Sequence, residues 1–393
     1  MSTTSSPHEE LTPEQFEVAR HLPNTTAEVA KRTNLSTSAV RGRLRRIQSG
    51  LVYRDQDGLW VWDGDKDLHR MKTHHTGSVT RAANNFLVDD EAGIKALLNQ
   101  TEPATHIPET KPGNEDLVIP LGDLHYGDYE DGELDEECYS TKIADKRTKA
   151  IVVKAIQEAR EQPAEYDTVH LLLLGDLVTG NGIYKGQWAD LEWLEDHCSL
   201  GKKVPATIKH QINLAAETLM WVIKTLAKEF DSVQVVCQPG NHGENRASGV
   251  SEEANADIHV CSRLDFGVRH CGLENINFIF HDSTSYTNFT MRGGKMKGHL
   301  RHGEECQYHA GATSASKRDW RGWLIMHDFD VAIRGHYHTA KIEDVMGVPV
   351  IMNGSPKPPG DFEESISVWG GPGSVIFGVT DDQAPKWTRY IEF

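Results

Sequence analysis

From residue 115 onward the chain repeats one hydrophobic pattern, a short apolar run stopped by glycine. Leu117, Val118, Ile119 and Leu121 run up to Gly122. Leu171 to Leu174 run up to Gly175, Val233 to Val236 lead toward Gly240, and Val331 to Ile333 lead toward Gly335. Continuous apolar runs of this length read as buried strands. Between them, residues 144–161, 205–230 and 252–264 are helical in character. After Phe278 the texture changes to short strands over 277–282, 285–292, 295–303, 349–355 and 374–379. The pattern predicts a mixed α/β domain with sheets packed face to face and helices outside. Pro120 interrupts the first run, where a missing N–H suits an edge strand or a bulge.

The first part of the chain is patterned differently. Thr12 and Pro13 make a helix start, followed by Phe16, Val18, Ala19 and Leu22. Thr25 or Thr26 opens a second helix ending near Asn34. Ser36 caps a third, with Val40, Leu44 and Ile47 on one face and Arg41, Arg43, Arg45 and Arg46 on the other. Residues 51–64 read as a hairpin turning at Asp57-Gly58. Three short helices and a hairpin resemble a winged helix-turn-helix, which makes residues 1–64 a small domain and the third helix its nucleic-acid reader. The same four arginines would equally suit a solvated or protein-contacting face. Residues 65–114 read as a linker, with a helix expected over Glu91–Leu98 and a Pro- and Thr-rich end. His74 and His75 within it are expected to be solvated.

Composition narrows the class. At 393 residues the chain is long enough for more than one domain. No long uncharged apolar window exists, and no basic segment precedes an apolar one at the N-terminus, so neither a membrane span nor a secretory signal is expected. Six scattered cysteines without a CxxC pair fit reduced thiols and a cytoplasmic protein. Formal net charge is -17, while residues 1–66 carry nine Lys/Arg against nine Asp/Glu. The acidic excess therefore lies wholly in the body, which argues against a generally phosphate-coating surface.

Ligand chemistry adjoins the glycines at the ends of the strand runs, after the glycine in four motifs and before Gly303 in the fifth. In order these are Asp123 and His125, Asp176, Asn241 and His242, His302, and His336 and His338. Oxygen and nitrogen donors of this kind suit manganese, iron or zinc more than thiophilic metals. The five motifs in this order, over residues 115–355, resemble the calcineurin-like metallophosphoesterases. That resemblance implies a four-layer α/β/β/α sandwich over 115–393 and two divalent ions, Mn²⁺ first, with Fe or Zn²⁺ as alternatives. It gives one ion Asp123, His125, Asp176 and His338, and the other Asp176, Asn241, His302 and His336, with Asp176 bridging. His242 becomes the catalytic side chain, contacting the scissile phosphate and helping the leaving group take a proton, a role that an imidazole beside a pair of dications can fill. His299 and His281 compete with His302 for the fifth motif.

The chain departs from the family's protein Ser/Thr phosphatases, which follow the bridging aspartate with Asp-Arg-Gly. Here Leu177-Val178-Thr179 follows, and GNHE becomes GNHGE by insertion of Gly243. Arg246 is placed either to reach a phosphate or to form a surface ion pair. The stretch 353–365 resembles a turn of phage- and prophage-type relatives. The expected activity is phosphoester hydrolysis by a hydroxide bridging two metals, foremost as a phosphodiesterase or nuclease on DNA or RNA. The alternatives are a phosphomonoesterase for small molecules or phosphoproteins, and a non-catalytic interaction platform. The pattern sets no oligomeric state.

Overall fold

The computed structural model describes residues 113–130, 139–185, 187–196, 202–311, 313–360, 366–368 and 370–393, with two short strands further toward the N-terminus. Those strands, β1 (Val52–Arg54) and β2 (Trp60–Trp62), pair antiparallel with Val52 opposite Trp62, as a hairpin requires. The three expected N-terminal helices, Arg41, Arg43, Arg45 and Arg46, the linker up to residue 112 and His74–His75 lie outside the described residues.

The body begins with β3 (Glu115–Leu121), α1 (Thr141–Glu161) and β4 (Tyr166–Leu173), then a small hairpin of β5 (Trp193–Asp196) and β6 (Lys202–Pro205). Next come α2 (Ile208–Glu229), β7 (Ser232–Cys237), α3 (Ala256–His270) and β8 (Ile276–Ile279). A second series follows, β9 (Thr287–Met291), β10 (Met296–Arg301), α4 (Ser314–His327), β11 (Val331–Arg334), β12 (Lys341–Val345) and β13 (Val348–Met352). The described chain closes with β14 (Gly373–Val379) and β15 (Trp387–Glu392). These strands build a six-stranded sheet, β15-β14-β3-β4-β7-β8, and a five-stranded sheet, β12-β13-β11-β10-β9. Strands β3, β4, β7 and β8 run parallel, as do β10, β11 and β13.

Alternation of side chains along the strands separates three layers of core. Leu117, Ile119 and Leu121 of β3 turn toward α1, α2 and α3 and join Ile151, Leu219 and Val260. Val118, Leu172 and Val236 turn the other way, against Leu300, Ile333 and Ile351 of the second sheet. On the far side of that sheet Ala332 and Val350 pack beneath Trp320 of α4. The order is helices, sheet, sheet, helix, which is the four-layer α/β/β/α sandwich. Each large aliphatic side chain taken fully out of water contributes roughly 1.5–3 kcal/mol to holding these layers together.

Two features differ from the reading of the sequence. Pro120 lies in a strand flanked on both sides, not at an edge. The ladder to β14 has already ended at Val118 opposite Phe377. Beyond that point Ser374 Oγ donates to the Pro120 carbonyl and the Val375 N–H donates to Asn353 Oδ1, so no partner requires the proton proline lacks. Helix α4 was not evident from periodicity. Of its described side chains only Ser316 and Trp320 are buried, too few to show a stripe. It starts at Thr313, whose hydroxyl accepts from the Ser316 N–H.

His299, the rival of His302, belongs to this outer layer. Its Nδ1 donates to Asn288 Oδ1 at 2.8 Å and its Nε2 accepts from Arg301 Nε at 3.0 Å, between the rings of His327 and Phe329. Burial, then the charges of Arg301 and His327, push it down to about 3. His281 instead faces Glu253 at 3.2 Å. Because unfolded histidine takes a proton near 6.5 and native His299 does not, its contribution to stability is present above pH 6.5 and is lost as pH falls toward 3. Replacing His299 by Gln is expected to lower stability at pH 7. It should also flatten the decline between pH 6.5 and 5 by about 1 kcal/mol per pH unit. Urea midpoints at the two pH values measure this, and parallel slopes would contradict it.

Candidate metal centre

Five strands bring their carboxyl ends to one edge where the two sheets meet. The loop after β3 carries Asp123 and His125, the loop after β4 carries Asp176, and that after β7 carries Asn241 and His242. From the second sheet, His302 follows β10, and His336 and His338 follow β11. The carboxyl edge of parallel strands is where α/β folds place sites.

The backbone is bent sharply to bring these side chains inward. Asp123, His125, Asp176, His336 and His338 all have positive φ, from 45° to 73°. Non-glycine residues rarely adopt this conformation, and each instance costs roughly 1–3 kcal/mol. Five together at one strand edge mark a place where geometry is held against local preference. Two glycines make room. A Cβ on Gly240 would stand 2.3 Å from Asp176 Oδ1, and one on Gly335 would stand 2.6 Å from Asp123 Oδ2.

The donor atoms converge in overlapping groups: Asp123, His125 and His338; His125, Asp176 and His242; Asp176, His302 and His336. His125 Nε2 and His338 Nε2 are 3.1 Å apart. His302 Nε2 lies 3.1 Å from Asp176 Oδ2 and 3.1 Å from Asn241 Oδ1, while its Nδ1 donates to the Leu174 carbonyl. The structure thus assembles all seven side chains expected as ligands, with His242 beside them. His242 Nδ1 donates to the Thr179 carbonyl at 2.9 Å, and its backbone N–H donates to Asp176 Oδ1 at 2.7 Å. Arg246 takes the other of its two expected places: it pairs with Glu244 at 2.8 Å and donates to the Ile183 carbonyl.

Burial works against charge on Asp176, yet His302 and His242 overcome it and hold its carboxyl well below the usual range. Burial likewise opposes a proton on His302, but Asp176 and Asp123 raise it well above its ordinary value. His336 is driven down to about 3 by burial and then by His302 and His338. His125 is lowered strongly by burial, then by His242 and His338. Lone pairs from neutral imidazoles, an amide oxygen and carboxylates therefore meet at about hydrogen-bond distance, with the proton on His302 as compensating positive charge. This donor set fits divalent cations, which would replace that proton and satisfy the facing nitrogens at once.

Supporting residues were not evident from the sequence. Asp257, near the start of α3, is fully buried and its carboxylate accepts from three backbone N–H groups. Oδ1 takes those of Leu177 and Val178 and Oδ2 takes that of Gly240, tying the Asp176 loop to the Asn241 loop. Burial and the neighbouring Asp176 raise it to about 7. Asn255, whose side chain caps α3 through the Asp257 N–H, also donates to the Gly240 carbonyl. Ser355 Oγ donates to the Asp123 carbonyl, which docks the 353–360 turn against the first loop. A helix cap followed by Asp was the one signal available, and it looked like any other N-terminus.

No family model matches the chain, and no curated protein matches it. Among solved structures it is similar to an archaeal phosphodiesterase, with 16% identity over 70% of this chain and 99% of that one, at a TM-score of 0.32. It is also similar to Vps29 of Entamoeba histolytica in complex with Zn²⁺, with 12% identity, 70% and 98% coverage and a TM-score of 0.32. A predicted phosphoesterase from Streptococcus pneumoniae follows at 10% identity, 72% and 100% coverage and a TM-score of 0.26. What the site can do rests on the donor geometry above.

Asp257→Asn places an amide donor against at least one backbone N–H that now meets an acceptor. Unfolding free energy should fall by about 1–3 kcal/mol, read as a shift in denaturant midpoint without a change in its slope. Unchanged stability would show that the carboxylate does not hold the two loops.

Proposed function

We propose that this chain is a metal-dependent phosphoesterase of the calcineurin-like kind, acting as a phosphodiesterase on nucleic acid. The observation that supports it is the sharing of Asp176. One carboxylate stands between a group made with His302 and His336 and a group made with His125 and His242, and His125 belongs in turn with Asp123 and His338. Two divalent ions in those half-sites would supply Lewis acidity toward a phosphoryl oxygen and lower the pKa of water. By this assignment Asp123, His125, Asp176 and His338 hold one ion, and Asp176, Asn241, His302 and His336 hold the other. Manganese is the first choice.

The chain's own residues supply the remaining work. With Nδ1 committed to the Thr179 carbonyl, His242 has Nε2 as its free nitrogen. From that atom it donates a proton to the leaving oxygen, as a general acid must. Its backbone N–H meanwhile fixes Asp176 Oδ1 and so leaves Oδ2 for the cluster. The acidic body, within a net charge of -17, repels polyanions, so Arg41, Arg43, Arg45 and Arg46 are assigned the contact with the substrate backbone.

His242→Ala should keep its metal content by mass spectrometry while turnover of bis-p-nitrophenyl phosphate drops at least about a hundredfold. Asp176→Asn should instead lose bound manganese on dialysis; retention of two ions would contradict the shared carboxylate. Faster hydrolysis of p-nitrophenyl phosphate than of the diester would favour a phosphomonoesterase, and no hydrolysis of either by metal-loaded protein would favour an interaction platform. Replacing Arg41, Arg43, Arg45 and Arg46 by Gln in the full chain should weaken DNA retention and make its salt dependence shallower, by about 0.9 in slope per lost phosphate contact. Equal slopes would remove the N-terminal arginines from the interface.

A further inference from the structure

Tyr184 is a large aromatic side chain, 47% exposed, beside a site lined otherwise by charged and polar groups. Its ring centroid lies 6.2 Å from that of His242, with the planes at 66°. A single exposed aromatic is ordinary. What sets this one apart is how firmly it is held. Its hydroxyl donates to Asp190 Oδ2 at 2.9 Å, and its carbonyl accepts from the Gln187 N–H. The preceding residue is fixed on both sides, the Ile183 N–H donating to Gln187 Oε1 and its carbonyl accepting from Arg246 Nη1, each at 2.8 Å. Gln187 Nε2 donates to the Thr179 carbonyl, the same oxygen that receives the His242 Nδ1 proton. One carbonyl therefore sets the spacing between the tyrosine ring and the proposed general acid.

We infer that Tyr184 is a stacking platform for a planar aromatic ring on the leaving group, so that the subsite beside His242 takes a nucleobase. The inference rests on the phosphodiesterase reading and narrows it. A group that leaves toward His242 has the tyrosine ring beside it. Because the ring is already immobilised by hydrogen bonds, stacking a base on it costs little further ordering. Stacking of a base on an aromatic side chain is tolerant of base identity, so the subsite selects for a ring and not for a sequence.

The test uses the full-length, manganese-loaded protein with a dithymidine phosphodiester and two counterparts, each lacking one of the two bases. Tyr184→Ala should lower kcat/KM on the dithymidine diester by about tenfold. On the counterpart whose leaving sugar carries no base, the loss should shrink to less than about threefold. Tyr184→Phe keeps the ring and should recover most of the base-dependent step, which separates stacking from misfolding. Equal losses on all three substrates would overturn the platform. If the wild-type protein cleaves none of them, the phosphodiesterase reading fails. The platform is then judged by equilibrium dialysis of thymidine 5′-monophosphate, where binding about tenfold weaker in Tyr184→Ala supports it and equal binding overturns it.

Discussion

Asp176 is a carboxylate removed from water at the seam between two sheets, and the structure around it is arranged to compensate that charge. Isolated ionised groups are not stable in such surroundings. Here Oδ1 receives the His242 N–H, and Oδ2 faces His302, whose own proton balance is set by the same carboxylate. The cost of five left-handed non-glycine residues makes sense on the same terms. Straight strand exits would carry these side chains apart, whereas positive φ at the exits of β3, β4 and β11 turns them toward one point. The interior of the sandwich, packed on both faces of both sheets, over-determines those bends and keeps them from relaxing.

Rigidity of the site comes from backbone bonds made outside the donor cluster. Asp257 gathers N–H groups from two loops, Asn255 reaches the Gly240 carbonyl, and Ser355 reaches the Asp123 carbonyl. Gln211 of α2 bonds Gly180 in both directions, holding the segment beyond Asp176. The loops after β3, β4 and β7 are thus anchored to a helix, a turn or another loop, and the backbone N–H groups of His242 and His336 add bonds to the carboxylates of Asp176 and Asp123 themselves. A centre built this way is preorganised, so bound cations need little further rearrangement of the chain. The same anchoring extends outward through Thr179 and Gln187 to Tyr184, which places an aromatic ring in register with His242.

The Asp, His and Asn motifs were legible because strand-end glycines punctuate apolar runs, and both signals are local. Helices α1 and α2 were legible for the same reason, since each buries a long face of Ile, Val and Ala against the first sheet, joined in α2 by Leu219 and Leu226. Helix α4 was hidden because a single large ring, Trp320, supplies most of its buried contact. The strand-like run 295–303, ending at Gly303, favours His302 over His299 as the ligand. The structure turns the two side chains in different directions, toward Arg301 and Asn288 for His299 and toward Asp176 for His302.

The sequence alone determined the alternation of strands and helices and the kinds of donor atom that follow each strand, because periodicity and residue chemistry are properties of short stretches. Which donors meet, and that Asp176 is common to two groups, was implied only by the family resemblance and not by periodicity or residue chemistry, since His302 and His336 come from a different sheet than Asp123 and Asn241. Nor could the sequence assign Asp257, Gln211 or Tyr184 to the site. Their roles depend on distances between residues far apart in the chain, and those distances are fixed only when the two sheets pack and align their strand ends.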